Sequence, residues 1–328
     1  MREETAAAQV HAAGEGDVDG VWSVLRAAAR TAERLAASVR PATFALTADD
    51  ELEHVALDDP DALIAWQPGA GWTPLIDCTD PRHALLDLYL PICGGTISRP
   101  VTVGHLGQSL DGFIATHAGE SQWVTGRENI LHLHRLRALC DAVVVGAGTI
   151  AADDPQLTTR LVTGPNPLRV VLDPARRLGR HHRVFNDASA ETLYLCSRSL
   201  VQPDEQWFGC ATIVGIDGPP DRIDAAAVMS ILRERRYARV FVEGGGITVS
   251  MFLEANLLDR LHLAIAPLII GDGRPAIRLP ASAGLGECQR PRYRVFRMGG
   301  DVLFDCELGT RDQAISPANP EPSIARVI

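Results

Sequence analysis

Apolar residues at positions 21, 24, 25, 28, 32, 35, 36 and 39 fall on one face of a helix. This spacing predicts an amphipathic helix over Val21–Val39, ended by Pro41. Residues 42–95 then carry acidic turns, Trp66 and Trp72 on either side of a Pro-Gly-Ala-Gly turn, and a short apolar stretch at Ala84–Leu90. Gly94-Gly95 and Pro100 mark a boundary. Beyond it apolar runs alternate with helical patterns, which predicts an α/β fold with a mostly parallel sheet covered by helices. The expected strands are Val101–Leu106, Ala142–Val145, Leu168–Leu172, Thr192–Cys196, Thr212–Ile216, Arg239–Val242 and Leu261–Ala266, with a closing pair at Arg292–Arg297 and Val302–Glu307. The expected helices are Arg127–Leu139, Asp224–Arg235 and Ile247–Ala255.

The pattern divides the chain into a small N-terminal extension over 1–98, a main domain over 99–308 and a polar, proline-rich tail over 309–328 that is expected to be flexible. The first twenty or so residues, rich in Ala, Glu and Gly, are expected to be disordered. No motif in 1–98 carries an interpretable chemistry.

Charge narrows the partners. The net charge is −10 over 328 residues, and residues 1–99 hold most of it, with 16 acidic against 7 basic side chains. That disfavours nucleic acid, which needs a basic face. All 31 basic residues are arginine. The absence of lysine excludes Schiff-base chemistry and a P-loop lysine. Seven scattered cysteines without a Cys-x-x-Cys pair argue for a reducing cytoplasm and against a bound metal. No apolar run reaches membrane-spanning length, so no membrane partner is expected.

Two pieces carry the candidate chemistry. Ala142–Val145 runs into Gly146-Ala-Gly148-Thr149, where the backbone can turn sharply and approach a ligand, though a plain strand-to-helix turn reads the same. Val240–Val242 leads into Glu243-Gly244-Gly245-Gly246, where a helix start without Cβ atoms makes a phosphate cradle. A carboxylate at that strand end lies where ligands bind in open α/β sheets. Arg137 and Arg160 flank the first hinge and suit a phosphate, although either alone fits a surface ion pair. Asp153 suits ribose hydroxyls or a turn cap. Trp123 offers a flat surface to a ring, core packing being its commoner role.

As a set these elements resemble the RibD-type reductase domain of the riboflavin-pathway deaminase/reductase family, whose fold is like that of dihydrofolate reductase. The resemblance rests on Ser109-Leu-Asp-Gly112, Gly119-Glu-Ser-Gln-Trp123, Leu136-Arg-Ala138, Gly148-Thr149 with Asp153-Asp154-Pro155, Leu157-Thr158 with Arg160, Arg169-Val-Val-Leu-Asp173 and Val242-Glu-Gly-Gly-Gly246. They stand in family order over roughly residues 100–308.

The resemblance implies a three-layer sandwich and NADPH-dependent reduction of a ribosylaminopyrimidine 5′-phosphate to its ribityl form, by hydride transfer to C1′ of the opened sugar. It implies that Ser121, Arg137, Leu157, Arg160 and Glu243 line the substrate site. Gly107, Trp123, Thr149, Asp153, Pro174, Gly245, Gly246, Ile247 and Thr248 would contact the cofactor, and the protein would be a homodimer. For the proton donor, Glu243 is nearest by motif and ordered water fits equally well. The family's zinc-ligand pattern for deamination is missing, so deamination is not expected. His105 stands where the family usually has a lysine facing the ribose chain. This departure, with the unfamiliar N-terminal region, keeps open the same chemistry on another pyrimidine or pteridine-like substrate. A third reading, a nucleotide-binding protein without catalysis, is argued against by the presence of Glu243, Arg137 and Arg160 together.

Overall fold

The computed structural model describes residues 15–309. Residues 1–14 and 310–328, where most of the disordered start and the flexible tail are expected, lie outside the described residues. Helix α1 spans Glu15–Leu35, so it begins before the predicted Val21 and ends before the predicted Val39. The turn after Leu35 leaves Val39 exposed; the residues just before Pro41 disfavour helix, which closes the element early.

Along the chain follow β1 (Ala42–Leu46), β2 (Leu52–Val55), β3 (Ile64–Gln67), β4 (Gly71–Pro74), α2 (His83–Cys93), β5 (Val101–Ser109), β6 (Phe113–Thr116), α3 (Arg127–Leu139), β7 (Ala142–Gly146), α4 (Ala147–Asp153) and β8 (Leu168–Leu172). The rest are β9 (Thr192–Ser197), β10 (Trp207–Phe208), β11 (Ala211–Ile216), α5 (Ala225–Glu234), β12 (Arg239–Glu243), α6 (Gly246–Glu254), β13 (Arg260–Ala266), β14 (Gly273–Pro275), β15 (Arg292–Met298) and β16 (Asp301–Glu307). No described helix is long and apolar enough to cross a membrane.

The chain forms two compact units, each built from two separate segments. The first takes residues up to Val101 and from Leu131 to Phe241. It contains a four-stranded antiparallel sheet in the order β2-β1-β3-β4, with Trp66 paired to Trp72 across the Pro-Gly-Ala-Gly turn and their rings 5.0 Å apart. It also contains the strands β10-β11-β9-β8-β7-β12, of which β11, β9, β8 and β7 pair in parallel. Val143, Val144, Val145, Val170, Val171, Leu193 and Leu195 are all fully buried. Strands covered on both faces read as unbroken apolar runs, which is why the sequence displays them so plainly.

The second unit takes Thr102–Ile130 and the chain from Val242. Its strands run β5-β13-β16-β15, with β5 and β13 parallel and the closing pair antiparallel. A polar row crosses these strands in register, from buried His105, His262 and Asp305 to half-buried Arg294. Asp305 is fully buried and accepts hydrogen bonds from Arg260 (2.6 Å) and Arg294 (2.6 Å), while His262 Nε2 lies 3.3 Å from it. A buried carboxylate is tolerable only with such pairing.

Candidate active site

In the first unit the sheet and α3 converge on the segment Leu157–Arg160. Leu157 adopts a positive φ of 57° with its side chain in the core. A branched residue holds such a backbone only when packing fixes it. The chain thereby turns its next carbonyl, Thr158 O, toward α3, where Arg137 Nη1 donates to it at 3.3 Å. Arg160 donates from Nη1 to Thr158 Oγ1 at 2.7 Å, so two guanidinium groups gather about one threonine.

The main chain of Arg160 is held separately, its N–H donating to His134 Nδ1 at 3.0 Å. Burial, then Arg137 and Arg160, push the His134 imidazole down to about 3. His134 is therefore neutral and able to accept. Sequence reading missed it, although its place one helical turn before Arg137 is a signal for a shared face.

Thr149 is half-buried in α4, Asp153 is exposed at its end, and Asp154 closes the helix in the left-handed region at φ 42°. The carbonyl of half-buried Pro174 accepts the Ser197 N–H at 3.1 Å.

The end of β12, from Val242, belongs to the second unit and carries Glu243, which is buried; Gly244 follows with φ 104°, a conformation that demands glycine. Helix α6 starts at Gly246 without a side-chain cap, and the first-turn residue Ile247 is 78% exposed. Gly246 has a packing cause beside the one expected from sequence. A Cβ there would lie 2.0 Å from Ala276 O, so this glycine is required by a neighbouring carbonyl. Gly107 is similar, since a Cβ would meet Thr125 Cγ2 at 2.8 Å and Asn129 Nδ2 at 3.2 Å.

Trp123 departs from its commoner role. It is 78% exposed and sits at φ 69°, a conformation unusual for so large a residue, with half-buried Ser121 two positions before it. His105 is buried, and Nε2 lies 2.8 Å from Asn129 Oδ1. Burial, with a contribution from His262, pushes this imidazole down to about 3. It is thus a neutral group, unlike the lysine it replaces.

The Ser-Leu-Asp-Gly turn acts as a staple. Asp111 accepts N–H bonds from Ile270 (3.1 Å) and Gly271 (2.6 Å) and a hydroxyl bond from Ser109 (2.5 Å). The Ser109 bond leads these in holding its carboxyl down at about 2.

Parallel strands that end in glycine hinges and helix starts define the ligand-binding α/β class of protein. Within that class, the chain belongs to the RibD C-terminal domain family, whose model matches residues 101–290. It is 34% identical over 214 residues to the 2,5-diamino-6-ribosylamino-4(3H)-pyrimidinone 5′-phosphate reductase of Methanothermobacter thermautotrophicus, a match covering 63% of this chain and 97% of the relative. The riboflavin biosynthesis protein RibD of Aquifex aeolicus is 32% identical over 179 residues, covering 54% of this chain and 49% of that protein. Among solved structures, the diaminohydroxyphosphoribosylaminopyrimidine deaminase/5-amino-6-(5-phosphoribosylamino)uracil reductase of Thermotoga maritima superposes with a TM-score of 0.56 at 26% identity, over 69% of this chain and 60% of that one. The chain thus spans nearly all of the archaeal reductase but about half of the Aquifex protein.

Proposed function

We propose that the protein is an NADPH-dependent reductase that converts a ribosylaminopyrimidine 5′-phosphate to the ribitylamino compound in riboflavin biosynthesis. The observation that carries this reading is the pair Arg137 and Arg160 gathered about Thr158, because a planar guanidinium fork suits a phosphate dianion. The family membership and the archaeal reductase support the substrate class.

The residues present fit a nicotinamide dinucleotide. Helix α6 lacks a side-chain cap, and Gly244 lets the backbone turn into it, which leaves a helix start suited to a pyrophosphate. On this reading Gly245, Gly246, Ile247 and Thr248 hold that group, Thr149, Asp153 and Pro174 receive the nucleoside, and Trp123 and Gly107 flank the nicotinamide. NADPH supplies the hydride.

In the substrate the opened sugar is a C1′=N imine. Hydride addition at C1′ and protonation at nitrogen give the ribityl amine. Arg137 and Arg160 anchor the phosphate, Ser121 and Leu157 border the substrate, and Glu243 delivers the proton at the imine nitrogen. The same reading makes the protein a cytoplasmic homodimer.

Purified protein is expected to oxidise NADPH on addition of 5-amino-6-(5-phosphoribosylamino)uracil or its diaminopyrimidinone analogue. A rate no greater than the blank with both compounds would refute the assignment. One observation favours a second reading, the same chemistry on a related pyrimidine or pteridine-like substrate. His105 is buried and neutral where the family usually offers a lysine, so the cation that would meet the ribose chain is replaced by a group without charge.

A further inference from the structure

Residues 15–99 lie outside the stretch matched by the family model, and their side chains make specific bonds to the elements that carry Arg137 and Arg160. Trp22, on α1, is 8% exposed, and its indole N–H donates to Thr163 O at 2.8 Å, three residues beyond Arg160. Tyr89, on α2, is 1% exposed, and its hydroxyl lies 2.6 Å from His132 Nδ1 on α3. The two rings meet edge to face with centroids 6.3 Å apart. Arg135 of α3 places its guanidinium 6.0 Å from the Trp22 ring and 5.9 Å from the Tyr89 ring. Desolvation holds the Tyr89 phenol up at about 12, so it remains a neutral hydrogen-bonding group.

Helix α3 therefore has two working faces. His132 and Arg135, one turn apart, engage the N-terminal residues. His134 and Arg137, also one turn apart, engage Arg160 and Thr158. The loop is fixed at both ends, by His134 at Arg160 and by Trp22 at Thr163. Gly164 adds to this, since a Cβ there would lie 2.7 Å from Ala138 Cβ on the same helix.

We infer that the N-terminal region is a brace for the phosphate-binding arginines, with Trp22 and Tyr89 as its positioning residues, and that it sets the affinity for the phosphorylated end of the substrate. The inference rests on the reading of Arg137 and Arg160 given above. A displacement of about 1 Å in such groups is enough to cost large factors in binding or rate. Neither Trp22 nor Tyr89 needs to touch the ligand.

The test uses the full chain with Trp22→Phe, Tyr89→Phe and, as reference, Arg137→Ala. Tyr89→Phe keeps its ring and loses only the hydroxyl, which limits damage to folding; Trp22→Phe keeps an aromatic side chain, smaller than the indole, and loses the N–H. Three quantities are measured: KM for the phosphorylated substrate and for its dephosphorylated counterpart, dissociation of ribose 5-phosphate by calorimetry, and dissociation of NADPH by fluorescence.

Each aromatic variant is expected to raise the phosphorylated substrate's KM, and to weaken ribose 5-phosphate, about fivefold, the effect of one hydrogen bond. The dephosphorylated KM, kcat and NADPH affinity stay as in the wild type. A lowered melting temperature with unchanged ribose 5-phosphate binding would show a purely structural role and overturn the brace. Equal losses for phosphorylated and dephosphorylated substrates overturn it as well. If Arg137→Ala leaves ribose 5-phosphate binding unchanged, the arginine reading itself fails and the brace falls with it.

Discussion

His134 in the first unit and His105 in the second are both buried and both held neutral down to about pH 3, yet they do opposite jobs. His134 accepts, taking the main-chain N–H of Arg160. His105 donates: Asn129 gives its Nδ2 to Thr125 Oγ1 at 2.8 Å, which turns Oδ1 toward His105 Nε2. The surroundings explain the contrast. Beside His134 stand two arginines, and a neutral acceptor pins the loop without neutralising them. An aspartate there would accept the same bond and compete with a phosphate for the cations. His105 instead begins a row that ends on Asp305, whose one carboxylate is shared by Arg260 and Arg294. His134 thus sits as a neutral acceptor beside cations, whereas His105 heads a row that holds its own carboxylate and guanidinium groups.

The largest expected effect tests the chemistry assigned to the second unit. Glu243→Ala is expected to lower kcat roughly 100- to 1,000-fold, the range for a lost proton donor, with NADPH affinity unchanged. A rate close to that of the wild type would hand the proton to water. Next comes Arg137→Ala, expected to raise the KM for phosphorylated substrate by about 100-fold, as for a charge-assisted bond worth about 1.5–3 kcal/mol. Steady-state kinetics with and without the 5′-phosphate separates this from misfolding, because the dephosphorylated compound should be indifferent to the change.

His134→Asp strikes at the comparison directly. It keeps an acceptor for Arg160 but brings a carboxylate to the arginines, and is expected to raise the same KM about tenfold, the size of a surface-to-buried charge effect near 1.4 kcal/mol. His134→Asn, an acceptor without charge, should stay within about threefold of the wild type; equal behaviour of the two variants would refute the charge argument.

The smallest effect is on stability. Both imidazoles have a folded-state pKa below that of the unfolded chain, so unfolding takes up protons between about 6.5 and about 3. Stability should therefore be level above pH 6.5 and fall as pH drops below it, by at most about 1.4 kcal/mol per unit for each histidine. Urea unfolding of His105→Asn at pH 7 and pH 5 should show a smaller loss than the wild type over that interval.

What could be read from sequence follows burial. The strand Leu168–Leu172 and the helix Arg127–Leu139 were legible to the residue, the strand because it is buried along its whole length. The N-terminal strands were not. β2 is only four residues long and mostly exposed, so its Leu-Glu-His-Val pattern reads as an acidic turn. In the site, the glycine hinges and both arginines were visible as residue types. The bond from Arg137 to a carbonyl was not, because it depends on the positive φ of Leu157, and no side-chain pattern announces that conformation. Gly246 was visible, but its packing constraint was not, since the crowding carbonyl comes from Ala276, thirty positions later in the chain.

The discontinuous first unit has a consequence for synthesis on the ribosome. Its opening segment, up to Val101, emerges well before α3 and the Thr163 loop that it steadies, with residues 102–130 made in between for the other unit. Trp22 and Tyr89 therefore wait for partners that appear tens of residues later. Until then the Trp22 indole N–H and the Tyr89 hydroxyl lack the partners they meet in the finished fold, and an incompletely packed nascent segment is the kind of client chaperones receive.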